Sequence, residues 1–431
     1  MERHEFLEIL TEQIRTKRAR PFIAKEIEEH IEDQKMDFMA EGMTDLEAEE
    51  AAVREMGDPV EAGVALDRIH RPRMKWSVLT GILLISILGL LLQMTVTMTA
   101  CESGFSGSLL LSAGGVGRHL TAMAAGIALM LCICWADYTL LNKYAVILWV
   151  AVNGLLILCA VESPLINGRP FYLTHASCLI IPFYAGMLYH FRGQGIKGII
   201  KSILCLCIPM AVLFHYLMIS CILIIGATGM ILLHAAVWRK WFGEKRLALY
   251  LQLWGFSIIL VLLMLAAIAF ITRGKILADY QLERLAAWLS PEKYEGSYFL
   301  QSVKESAENV KKEEMYLTSN WMEEIKSSYL WIYLFEYLGT WKGLLLTVLV
   351  AGFWIFLFGK VRQQKNEFGQ MVGLGCVLYL SIETVMYMGM NFGILPLGAV
   401  FMPFLSNGGA FLLITYFYMG LLLSVLGTGH F

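Results

Sequence analysis

Three features of this chain could do chemistry. Glu383 lies in Leu380-Ser381-Ile382-Glu383-Thr384-Val385, inside an apolar run long enough to cross a membrane. A carboxylate at that depth is costly and faces a cavity or a partner; otherwise it is a satisfied hydrogen bond between helices. Arg169, in Asn167-Gly168-Arg169-Pro170, offers a planar fork of donors suited to pyrophosphate, or it snorkels to an interface. The third feature is Gly389-Met390-Asn391-Phe392-Gly393-Ile394-Leu395-Pro396, then Pro403-Phe404-Leu405-Ser406-Asn407-Gly408-Gly409. Proline removes a backbone donor and glycine opens dihedrals closed to other residues. Broken backbone survives in hydrocarbon only where it is buried in protein or lines a cavity. This stretch therefore reads as a shaped loop at the mouth of a membrane pocket, with an ordinary turn as the simpler alternative.

The elements that must position these residues are membrane helices. The chain has 431 residues, of which 57% are hydrophobic and only 16% charged, against about 25% charged in soluble proteins. Mean hydropathy is +0.61. A net charge of -2 without a basic, aromatic-laced patch gives no sign of nucleic-acid binding. Nine cysteines sit mostly in apolar runs. Cys132/Cys134 and Cys205/Cys207 have i, i+2 spacing, which puts the members of each pair on different sides of a helix, so they read as inert. His190, His215 and His234 fall at or near span ends without metal-ligand spacing. Gly226-Ala227-Thr228-Gly229 suits close helix packing and is no phosphate loop. The first apolar run starts near Trp76, too deep for a cleaved signal peptide, and is expected to act as an uncleaved anchor.

Two domains are expected. Residues 1–75 are rich in charge and carry apolar residues at helical spacing: Phe6, Leu7, Leu10 and Ile14; Ile23, Ile27 and Ile31; Ala48, Ala51, Ala52 and Met56. This predicts a cytoplasmic domain of about three helices. Thr44 followed by Glu47 is a capping box, and Asp58-Pro59 can begin a further helix. Residues 76–431 are expected to be an all-α, polytopic domain of about ten spans, near 76–98, 119–135, 143–161, 176–191, 199–216, 218–237, 247–271, 329–358, 369–391 and 407–428. Lysines and arginines concentrate in alternate loops, which predicts that both termini are cytoplasmic. A long outer loop, 272–328, mixes acids and bases, and loops of that length usually carry function.

Two resemblances follow from quoted motifs. Ile31-Glu32-Asp33-Gln34, Met56-Gly57-Asp58-Pro59 and Asp67-Arg68-Ile69-His70-Arg71-Pro72 resemble the small helical prefix domain of some bacterial permeases. The remainder resembles the SEDS family (shape, elongation, division and sporulation proteins). In the closing motif Gly389, Gly393, Leu395, Pro396, Pro403, Phe404, Ser406, Gly408 and Gly409 fall in the family register, with Tyr387 for a family Asn and Asn407 for a Tyr. Arg284 to Lys293, then Gly296-Ser297-Tyr298 and Gln301-Ser302, is similar to a second family motif. Glu336-Tyr337-Leu338-Gly339 is similar to a third.

The SEDS resemblance implies a glycosyltransferase of the bacterial plasma membrane. Such an enzyme polymerises an undecaprenyl-pyrophosphate-linked disaccharide precursor into peptidoglycan strands on the outer face, beside a single-span transpeptidase of the penicillin-binding class. That reaction needs a base for the acceptor hydroxyl and positive charge for the leaving pyrophosphate. The family base is an Asp in the long outer loop, and here that position is Tyr294. Glu295, one residue on, and Glu292 are the surrogate candidates. No cofactor is fixed by the sequence; a divalent cation is the one that pyrophosphate chemistry admits. The substrate-binding candidates are Arg169, Arg284, Glu383, Asn391, Pro396, Pro403, Ser406, Asn407, Gly408 and Gly409. Three readings stay open: an active transferase, a non-catalytic accessory that binds precursor or synthase, and a precursor transporter.

Overall fold

The computed structural model describes residues 2–15, 19–70, 74–102, 109–166, 169–216, 218–243, 254–255, 327–395 and 400–427. The chain divides into two compact units, Met1–Lys75 with Leu426–Phe431, and Trp76–Val425.

The first unit contains four helices where the apolar periodicity predicts three: α1 (Arg3–Glu12), α2 (Ala19–Ala40), α3 (Asp45–Glu55) and α4 (Pro59–His70). The fourth is the continuation that Asp58-Pro59 begins; the Asp58 side chain accepts from the Val60 amide at 3.0 Å. Phe6, Leu10, Ile14, Ile23, Ile31, Ala52 and Val53 form its core. Ion pairs brace the outside, with Arg3 at 2.7 Å from Glu28 and 2.6 Å from Glu32. Lys35 bridges Asp45 at 3.0 Å and Glu49 at 2.9 Å.

The membrane unit begins with α5 (Trp76–Glu102), α6 (Leu109–Trp135), the short α7 (Leu140–Lys143) and α8 (Ala145–Glu162). A minimal antiparallel pair follows, β1 (Leu165–Ile166) with β2 (Arg169–Pro170), in which Ile166 faces Arg169 and Leu165 faces Pro170. Next come α9 (Phe171–Ser177), α10 (Ile180–His190), α11 (Gly195–His215) and α12 (Ile219–Trp238). After residue 326 the described chain resumes with α13 (Leu330–Leu338), α14 (Thr340–Arg362), α15 (Glu367–Asn391) and α16 (Gly409–Gly427). Among the described residues, eight helices are long and apolar enough to cross a membrane, or nine spans if α9 and α10 are one span bent by 40°. The expected span at 247–271 lies outside the described residues.

Two expected spans are broken. The fourth bends between α9 and α10, where the Tyr418 hydroxyl donates to the Cys178 carbonyl. That bond satisfies an acceptor which the interrupted helix cannot use itself. The eighth, read as one run from 329 to 358, is α13 and α14 joined at Gly339. Glu336 and Lys342 flank that joint, but the run around them is apolar enough to read as one span. Gly339 has φ +84°, a conformation that side-chain-bearing residues avoid.

Of the eight described spans, α15 and α16 are the most buried: 61% and 67% of their span windows, against 17% for α6. The Pro/Gly loop therefore joins two well-enclosed helices, the setting in which irregular backbone is tolerated at membrane depth.

Candidate functional site

The described part of the closing loop is a tight turn on a fixed floor. The amides of Leu405 and Ser406 donate to the Met402 carbonyl at 3.2 and 3.1 Å. The Ser406 hydroxyl oxygen accepts from the Met402 amide at 2.9 Å. Phe404, at the apex, has φ +67°, a left-handed conformation costing about 1–2 kcal/mol outside glycine. Packing of its ring offsets that strain: it is buried edge-on against Phe353 at 5.9 Å and Tyr416 at 5.7 Å.

α5 clamps the turn from beneath. The Gln93 side-chain amide donates to the Leu405 carbonyl at 2.7 Å. Gly89, one turn earlier, has no side chain where a Cβ would stand 2.3 Å from the Phe404 carbonyl oxygen. The Tyr416 hydroxyl donates to Ser86 Oγ at 2.7 Å, on the same helix. Sequence reasoning missed this clamp. Its signal was a lone amide, Gln93, within an apolar span, a costly placement in hydrocarbon.

Above this floor lies a cavity of about 10 Å³, room for a single water. Glu383, Pro403, Ser406 and Thr415 line it with the rings of Phe401, Phe404 and Phe411. Glu383 is 7% exposed, and it lines the cavity together with Phe401. Its carboxyl thus faces a cavity beside the closing loop.

The other sequence candidates divide. Asn407 and Gly408 are half-exposed beside the cavity, and Gly409 is exposed at the start of α16. Asn391 is elsewhere and fully buried. Its Nδ2 donates to the carbonyls of Ser328 and Tyr387, both at 2.9 Å, and its Oδ1 accepts from the Ile332 amide at 3.2 Å. Tyr387 acts beside it: its hydroxyl accepts from the Leu330 amide at 3.0 Å and donates to the Ser327 carbonyl at 3.1 Å. These two side chains hold the first turn of α13, so the structure places Asn391 as a positioning residue rather than on the cavity wall. Arg169 contributes its backbone to β2; its side chain, with Arg284, Glu292, Glu295 and Pro396, lies outside the described residues. Among the described residues no group of three or more His, Cys, Asp or Glu could hold a metal ion.

No family profile matches the chain. It is 31% identical over 109 residues to a probable peptidoglycan glycosyltransferase FtsW of Thioalkalivibrio sulfidiphilus, covering 24% of this chain and 27% of that protein. To the protein of the same name from Coxiella burnetii it is 26% identical over 188 residues, covering 40% and 48%. The chain thus spans less than half the length of either relative. Two solved structures share the fold. One is a chain of a peptidoglycan synthase complex, with TM-score 0.63 and 18% identity over 82% of this chain and 97% of that one. The other is the rod shape determining protein RodA of Thermus thermophilus, with TM-score 0.51 and 14% identity over 82% and 96%. The relatives are thus similar to this chain over part of their length, and the two solved structures share its fold over most of its length.

Proposed function

We propose that this multi-pass membrane protein serves peptidoglycan assembly by binding an undecaprenyl-pyrophosphate-linked disaccharide and extending glycan strands from it at the outer membrane face. The observation that carries this reading is the closing loop. In a SEDS fold, the loop motif forms one wall of a cavity that holds a buried carboxylate, Glu383. The relatives named as probable peptidoglycan glycosyltransferases support the reaction class.

In that reaction an acceptor sugar hydroxyl attacks the anomeric carbon of the donor. The carbon–oxygen bond to the pyrophosphate breaks, undecaprenyl pyrophosphate leaves, and the hydroxyl proton passes to a carboxylate base. Glu295 or Glu292 takes that role in this reading. Arg284 and Arg169 supply positive charge to the leaving group. Both termini are cytoplasmic, which puts the segment carrying these residues outside.

A second reading rests on Tyr294, which stands where the resemblance places the family Asp. On it the chain is a non-catalytic accessory that presents precursor to a single-span penicillin-binding transpeptidase. Fluorescent lipid-linked precursor, given to purified protein with and without that synthase, separates the readings. Glycan chains that vanish in Glu295→Gln or Glu292→Gln support the transferase. Binding without polymer under every condition supports the accessory. Flipping of precursor between leaflets without polymer points to transport and rejects both.

A further inference from the structure

One series of aromatic rings is unused by the function above. Tyr172 and Phe171 meet edge to face at 5.3 Å, and Phe171 meets His175 at 5.0 Å. His175 lies 4.5 Å from Phe411, which stacks on Phe401 at 3.8 Å with 21° between the planes. Three separate elements supply the rings: α9, the closing loop and the first turn of α16. The series runs from exposed Tyr172 and Phe171, 54% and 43% accessible, through half-buried His175 to the two rings that wall the Glu383 cavity.

The motif glycine Gly408 belongs to this construction. A Cβ there would stand 3.2 Å from the Phe401 ring and 3.7 Å from the Phe411 ring. Its absence leaves the stacked pair open on that side.

Isolated aromatic residues at a membrane interface serve as anchors at headgroup level. This series differs in two respects: the rings touch in sequence across three elements, and they end at a carboxyl, Glu383, with the hydroxyls of Ser406 and Thr415 beside it. A prenyl chain needs no polar group at the end of an apolar track, and burying such groups against it is costly. A pyranose ring matches both parts, because its C–H faces lie flat on aromatic rings while its rim of hydroxyls reaches the polar groups through the single water that the cavity has room for.

We propose that Tyr172, Phe171, His175, Phe411 and Phe401 form a carbohydrate platform that takes the sugar rings of the lipid-linked precursor; this rests on the precursor-binding reading above. The test is equilibrium binding to the full-length protein in nanodiscs with two probes, lipid-linked disaccharide and sugarless undecaprenyl pyrophosphate. Tyr172→Ala and Phe171→Leu change exposed rings and spare the fold, and Phe411→Leu tests the inner end. Each is expected to weaken the disaccharide probe about threefold to tenfold, the scale of one aromatic contact. The sugarless probe is expected to stay within about twofold of wild type. Equal weakening of both probes, or no change in either, overturns the platform and leaves the precursor-binding reading standing. Wild-type protein that binds neither probe overturns that reading and the platform with it.

Discussion

Replacing Asn391 by alanine should loosen the first turn of α13 without touching the cavity. Asn391 is fully buried, and its amide meets three backbone groups. The Tyr387 carbonyl keeps its ordinary helical partner, the amide four residues on, when the side chain is cut back. The Ile332 amide and the Ser328 carbonyl have no such substitute, and the Ile332 amide is one of the first-turn donors that a helix cannot satisfy internally. A buried backbone group left without a partner costs about 1–3 kcal/mol, so two imply about 2–6 kcal/mol. At about 1.4 kcal/mol per tenfold, even the lower figure predicts roughly thirtyfold faster hydrogen exchange at residues 330–334, measured on the full chain in detergent. Tyr387→Phe should act on the same turn through Leu330 and Ser327. The double variant should cost less than the sum of the two, because a turn frayed once has little left to lose. Asn153→Ala is the control: that Asn donates only to the Trp149 carbonyl of its own helix and should be near neutral. Exchange in Asn391→Ala within about twofold of wild type would refute the capping argument. Under the proposed function the turn bears on activity, because the segment carrying Glu292 and Glu295 leads into it in sequence.

Two further outcomes follow. Gly89→Ala should destabilise the protein by about 1–3 kcal/mol, since its Cβ would meet the Phe404 carbonyl oxygen at 2.3 Å. Gly117→Ala, with nothing within 4 Å of its Cβ, should be neutral or stabilising; thermal unfolding in detergent compares them, and equal midpoints would reject the clamp. In α3, hydrogen bonds from the Thr44 hydroxyl and then the Thr44 amide hold the Glu47 carboxyl below its ordinary value of 4.5. Its stabilising effect is therefore present above about pH 4.5 and lost as pH falls through the lower folded value. The Ala48 amide, with intrinsic rates corrected for pH, should lose protection in that window in wild type and show no such step in Glu47→Gln; a step of equal size in both would reject the link.

What was legible in the sequence depended on how far each residue sits from its partner. Hydropathy located the apolar runs, because a span is a local average. It could not by itself show the joint at Gly339, because the run around it is apolar enough to read as one span, whereas the fourth helix of the first unit was signalled by Asp58-Pro59. The Thr44–Glu47 capping box was readable since its members are three residues apart. Glu383 was readable as a cavity-facing residue because a charge in an apolar run is conspicuous by itself. Asn391 is a substrate-binding candidate in the sequence because it shares the motif, whereas two of the backbone groups it meets, at Ser328 and Ile332, lie 63 and 59 residues away. Gln93 passed unnoticed for the same reason: Leu405 is 312 residues distant, and an uncharged amide stands out less than a carboxylate. The residues that shape this loop are thus set by long-range pairings, while those that face its cavity announce themselves locally by charge or by Pro/Gly punctuation. A motif match through 389–409 therefore carries information about the cavity's lining and little about the clamp from α5 that holds it in shape.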